Sequence, residues 1–171
     1  MDRAEMLQIL RTTPDKIGNV AVGMTRQHMQ RPRADGEWSI PEILKHMALY
    51  ERDVIGPRLR LMLAEDNPTF PPPPEMMDPN GRPPVVDFGA DLALLRRHRL
   101  LTIAVLEDLD EAGWQHPGVG PRGPTTVERV VEHLANHDLE HLQGMEDART
   151  LLEDETEHEA GGASTAGHQH H

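Results

Sequence analysis

The chain has 171 residues, of which 37% are hydrophobic and only 3% aromatic, and it contains no cysteine. That length suits one domain with a single sizeable core, and a core of aliphatic side chains and nine methionines favours packed helices over aromatic-rich strands. A formal charge of −12 disfavours DNA or RNA as a partner, and the absence of cysteine excludes disulfides, thiolate ligands and a protein-borne thiol nucleophile, leaving nitrogen and oxygen as the available metal ligands.

No stretch approaches the roughly 20 apolar residues that span a bilayer, and the start carries no run of signal-peptide length, so a cytoplasmic protein with no membrane partner is expected. Met6, Leu7, Ile9 and Leu10 begin a helical pattern that resumes after Thr12-Thr13-Pro14 with Ile17, Val20, Ala21 and Met24. This predicts one helix with a break or two in line, with Thr13 as an N-cap and Pro14 in the first turn. His28 lies near the frayed end and reads as solvated.

After a turn at Arg31 to Gly36, Ser39 and Glu42 form a capping box and start a second helix, with Pro41 in its first turn. Ile40, Ile43, Leu44, Met47, Val54 and Ile55 make its apolar stripe, His46 faces the interior between Ile43 and Tyr50, and Gly56-Pro57 should kink or divide the helix. Residues 66 to 84 hold Pro71-Pro72-Pro73-Pro74 within a proline-rich stretch and predict a long crossover, a semi-rigid spacer rather than a recognition segment. Such a connection permits its two helices to run parallel.

A third helix is expected from Phe88 to Leu109, with Arg96-Arg97-His98-Arg99 as a solvated face or, alternatively, a local anion site. A short helical turn at 110–114 and a loop at 116–124 follow, and Thr125 with Glu128 should cap a fourth helix ending near Leu152. That helix carries His133, His137 and His141 four residues apart, which brings all three rings to one broad face. The stripe is either packed and solvated histidine or part of a metal site. Residues 153–171, acidic and then glycine-rich, are expected to be disordered, and their histidines are set aside from any site.

Four amphipathic helices with one long crossover make an all-α four-helix bundle, residues 1–152, the economical fold. In it His46 from the second helix can meet His137 and His141 from the fourth, and three imidazoles leave a further position for water or substrate. His137-Asp138-Leu139-Glu140-His141 lacks a glutamate directly after the first histidine, so it is not the metalloprotease signature.

The segments Trp38-Ser39-Ile40-Pro41-Glu42-Ile43-Leu44-Lys45-His46 and His137-Asp138-Leu139-Glu140-His141-Leu142, separated by a long loop after the second helix, resemble the DinB/YfiT-like bundles. The resemblance covers nearly all of residues 1–152. It implies a divalent metal on His46, His137 and His141, zinc or nickel before iron or manganese, and it puts His133 among the supporting residues. Many such bundles carry glutamine three residues after the last ligand, where this chain has Gly144 with Gln143 one earlier. Several members act on small-molecule substrates as S-transferases or isomerases with a low-molecular-weight thiol such as bacillithiol, mycothiol or glutathione, a cofactor role consistent with a chain that has no thiol of its own. The expectation is therefore a metal-dependent enzyme transferring a thiol, or hydrolysing a small electrophile, in stress response or detoxification. The alternative is a non-catalytic, stress-induced metal-binding bundle. Either is expected as a homodimer.

Overall fold

Asp2 accepts from the Glu5 backbone N–H at 2.8 Å and caps α1, which runs Arg3–Val20 without interruption in the computed structural model. The structure describes residues 1–32, 36–84 and 86–169, with side chains as far as residue 157. The break expected at Thr12-Thr13-Pro14 is absent, and Thr13 is not a cap: it is buried in mid-helix, with its hydroxyl donating to the Ile9 carbonyl at 2.7 Å. Pro14 has no N–H to offer the Leu10 carbonyl four residues back. Arg99 supplies the missing donor from another helix, at 2.7 Å, so the helix survives its proline.

A single turn, α2 (Arg26–Met29), follows. His28, read as solvated, instead lies 3.3 Å from both the Leu152 carbonyl and the Thr156 hydroxyl. Next, α3 (Ile40–Tyr50) begins at the expected capping box: Glu42 N–H donates to Ser39 Oγ at 3.4 Å and Ser39 N–H to Glu42 Oε1 at 3.0 Å. Replacing Ser39 with alanine should lower the unfolding free energy by about 1 kcal/mol in denaturant titrations. The helical backbone runs on through Gly56-Pro57, but as two α-helical segments. A π turn at Glu51–Ile55 widens the backbone ahead of the proline and separates α3 from α4 (Gly56–Ala64), which follows it directly. Residues 65–87 then form the proline-rich connection to α5 (Phe88–Glu107), pinned where Trp38 Nε1 donates to the Gly81 carbonyl and Arg82 pairs with Glu42.

The short α6 (Glu111–Trp114) precedes a hairpin where a loop was expected, β1 (Pro117–Gly120) paired antiparallel with β2 (Gly123–Thr126). Gly123 takes the positive φ the tight turn requires, and Gly118 lets the strand lie on Phe70 and Met62, whose atoms a Cβ would meet at 3.0 and 3.2 Å. The cap of α7 (Val127–Gln169) is Thr126, which accepts from Arg129 N–H, rather than Thr125, which is held in β2; Glu128 turns instead to Arg3. The backbone of α7 stays helical beyond the end expected near Leu152, and Arg149 reaches Glu153 one turn on. The tail histidines at 158, 168, 170 and 171 lie outside the described side chains. Among the described residues, no helix is long and apolar enough to cross a membrane.

Cross-helix contacts fix the direction of each helix. Lys45 meets Asp91 and Glu51 meets Arg99, so the α3/α4 unit and α5 run parallel, as the long connection permits. Arg11 meets Glu107 and Asp15 meets Arg96, so α1 opposes α5; Arg3 meets Glu128 and the Val20 carbonyl meets Arg149, so α1 and α7 run parallel. The bundle is thus up, down, down, up.

Two apolar clusters fill it. One gathers Met6, Leu10, Ile55, Met62, Leu106 and Leu134; the other gathers Ile17, Ile40, Leu44, Leu95, Leu142 and Met145. Between them lies a buried polar layer of Thr13, Glu51, Arg99, Thr102 and Asp138.

Candidate metal centre

At the level of that layer, α3 and α7 face each other antiparallel and present their histidines across a half-buried groove. His46 is held on α3 by the buried stripe of Ile43, Leu44, Met47 and Leu49, and His137 and His141 on α7 by Leu134, Asp138, Leu142 and Met145. Their Nε2 atoms converge: His46 to His137 is 3.2 Å and His137 to His141 is 3.1 Å. Each ring offers one ligand atom to a common centre, and these atoms lie within 4.8 Å of one another. Zinc–nitrogen bonds of about 2.0–2.1 Å at tetrahedral angles would separate ligands by ~3.3 Å, so a divalent cation fits this donor set with little movement.

Burial keeps the rings neutral, the form that binds metal. It lowers His46 to about 4, helped by His141, and His137 to about 3, helped by the charges of His141, His46, His133 and Arg99; His141 is also lowered, again chiefly by burial. Each folded-state value lies below the ordinary 6.5, so burial of the neutral rings contributes stability that is present above about pH 6.5 and lost as pH falls toward 4 and 3. Metal-free protein should therefore show a thermal midpoint that falls on acidification through this window, and a His137→Gln variant should show a shallower fall.

Two aromatic rings wall the site, a role that the spacing of the histidines alone does not assign. The Tyr50 ring stacks on His137 at a centroid distance of 4.5 Å, and Trp38 lies 5.2 Å from His46. Tyr50 follows His46 by one helical turn, a spacing that could have drawn attention to it. Its hydroxyl, which burial keeps protonated, sits 3.0 Å from His133 Nε2. His133 thus stands apart from the three converging rings and is engaged by Tyr50. Gln143 donates to Asp147 at 2.9 Å on the exposed side of α7, at the rim of the cleft beside His141, and Gly144 leaves room over Ile43. A cleft of about 490 Å³ beside His141, lined by Trp38, Ile43, Glu140, Gly144 and Asp147, gives a small molecule access.

Arg96 to Arg99 is not uniformly a solvated face. Arg99 is 2% exposed, with its Nε donating to both oxygens of Glu51 and Nη1 and Nη2 to Asp138, at 2.7 to 2.9 Å. Burial pushes both carboxyls up while the guanidinium between them opposes that shift. Asp138 follows His137 directly, so this triad anchors the turn of α7 from which the ligand candidate projects. His116, just before the hairpin, has a buried Nδ1 with no partner among the described residues and is not part of the group of three histidines.

An up-down-down-up bundle with three histidine nitrogens converging between its second and fourth long helices defines the class of protein. The chain belongs to the DinB superfamily, whose profile matches residues 9–145. Among solved structures it is similar to YfiT from Bacillus subtilis, described as a probable metal-dependent hydrolase with an unusual four-helix bundle topology. The TM-score is 0.74 with 20% identity, covering 86% of this chain and 87% of that one. No curated protein matches the chain.

Proposed function

We propose that His46, His137 and His141 hold a divalent cation and that the chain is a metal-dependent enzyme acting on a small electrophile, by hydrolysis or by transfer of a low-molecular-weight thiol. The observation that carries this reading is the convergence of three neutral, half-buried Nε2 atoms beside an open cleft, with no fourth side chain joining the group among the described residues. A cation bound there supplies Lewis acidity that lowers the pKa of water or a thiol at neutral pH. The chain's own residues do the rest: Tyr50 fixes the plane of His137, Trp38 walls the site beside His46, and the Tyr50 hydroxyl carries a proton at the edge of the groove. Glu140 and Asp147 at the cleft favour a neutral or cationic substrate over an anionic one. The hydrolytic branch is also supported by the description of YfiT, and stress response or detoxification is the setting that suits either chemistry.

The assignment leaves His133 outside the ligand set. A His133→Ala chain should keep its metal at full stoichiometry in elemental analysis, and metal lost with His133 would reassign the site. Activity is tested by screening metal-loaded protein against ester and amide panels and against thiol–electrophile pairs. The expected result is turnover that a chelator abolishes and that His141→Ala lacks. Equal rates in the wild type and His141→Ala would overturn the reading.

A further inference from the structure

The basic run Arg96-Arg97-His98-Arg99 parts in different directions. Arg96 pairs with Asp15 of α1 and Arg99 enters the core, while Arg97 stays at the surface and His98 faces α4. There a pocket of about 180 Å³ opens between α4 and α5, with Arg60 and His98 on its polar side and Leu59, Leu101 and Val105 as apolar walls. Arg60 folds back along α4 because Gly56, one turn earlier, has no side chain: a Cβ there would come within 3.2 Å of Arg60 Nη1.

The cations gathered here are not matched by acids. Arg60, Arg97 and His98 make no salt bridge or hydrogen bond among the described residues. Arg52 also bears on His98, but Asp53 engages it through two hydrogen bonds at 2.8 and 3.0 Å, so that pair is close to neutral. Glu51 reaches the pocket as well, and its carboxylate is already taken by Arg99 from the core side. Burial, then the charges of Arg97, Arg52 and Arg60, hold His98 below its ordinary value, with Asp53 opposing them. On a chain of net charge −12, these cations repel one another beside a partly apolar pocket, and an anion would relieve that repulsion. We propose that the pocket binds a small organic anion, a carboxylate on a short aliphatic stem. The Arg60 guanidinium is a fork that matches two carboxylate oxygens, and Arg97 adds charge at the rim, one turn before Leu101. The stem lies against Leu59, Leu101 and Val105. A volume of about 180 Å³ holds roughly six groups of ~30 Å³, the size of butyrate. The site is independent of the metal reading, because the histidine groove lies between α3 and α7.

Titration of the full chain with butyrate, followed through the His98 ring resonances by NMR, tests the proposal. Butyrate should bind with a Kd on the order of 1 mM. Once bound, its carboxylate favours the imidazolium and should raise the pH at which His98 titrates. Acetate, shorter by two methylenes, should bind roughly 10-fold more weakly, and butylammonium should not bind. Arg60→Gln combined with Arg97→Gln should weaken butyrate by ~10-fold or more at unchanged circular dichroism, whereas His137→Ala should leave its Kd unchanged. Butyrate that leaves the His98 resonances unmoved at roughly ten times the expected Kd overturns the proposal. Acetate binding as tightly as butyrate shows that the apolar walls take no part, and butyrate affinity that survives the double arginine substitution places the anion elsewhere.

Discussion

Protein carrying His137→Ala is expected to leave a metal-affinity-free purification without bound metal, while the wild type carries one equivalent. His137 is the ring shared by both short nitrogen–nitrogen contacts, so its loss leaves His46 and His141 without the group that links them. The loss of affinity should exceed the roughly 10–100-fold that follows removal of an outer hydrogen-bonding partner, because a ligand itself is gone. Stability provides a second readout. Metal that binds only the folded chain raises the thermal midpoint by mass action, so added zinc or nickel should raise the wild-type midpoint and leave that of His137→Ala unchanged. Competition titration with a chromogenic chelator checks the first expectation and calorimetry the second. A variant that keeps wild-type affinity would show that the rings converge for packing alone.

The second large effect is at Arg99. Its side chain is the only cation among the described groups of the buried layer, where it faces Glu51 and Asp138 and closes the Leu10 carbonyl that Pro14 leaves open. Arg99→Met keeps an unbranched apolar stem but leaves two carboxyls and a carbonyl buried without the donor that served them. Breaking a buried ion pair on one side costs about 3–5 kcal/mol, and two carboxylates here share one guanidinium, so the upper part of that range is expected. Against a total stability of roughly 5–15 kcal/mol, this moves the thermal midpoint down by more than about 10 °C or prevents folding. Combining Arg99→Met with Glu51→Gln and Asp138→Asn removes the unbalanced charge, and the triple variant should recover most of the loss in denaturant titrations. If the triple variant is as unstable as the single one, packing volume rather than charge accounts for the effect.

Much of this was legible in the sequence because it rests on local chemistry. The Ser39 and Glu42 capping box placed the start of α3, the period of Ile43, Leu44 and Met47 set the face that carries His46, and the four-residue spacing of His137 and His141 put them together on α7. The proline-rich connection signalled that α3/α4 and α5 could run parallel. What escaped depends on partners far away in the chain. Pro14 reads as a helix breaker because its cost is local, whereas the donor that offsets it, Arg99, arrives from α5. Arg99 itself reads as surface charge beside Arg96 and Arg97, although it shares a stripe with Leu95, Thr102 and Leu106 that is buried throughout. Glu51 and Asp138 likewise occupy core positions, between Met47 and Val54 and between Leu134 and Leu142. One positive and two negative charges, each on a core stripe of a different helix, were the available signal for the polar layer. The hairpin at 117–126 had no such signal, because its short strands are rich in glycine and proline and it forms against Phe70 of the crossover.

His46, His137 and His141 are proposed to hold a metal ion, and the histidines at 158, 168, 170 and 171 offer competing ligands in any preparation of the full chain. The most direct measurement is the metal content of a chain ending at Leu152, the last buried position among the described side chains of α7, purified without metal affinity and read by elemental analysis together with X-ray absorption. The predicted result is one divalent ion per chain with a shell of about three imidazole nitrogens near 2.0–2.1 Å, as expected for zinc on histidine. A folded, truncated chain that holds no metal even after incubation with zinc or nickel would contradict it.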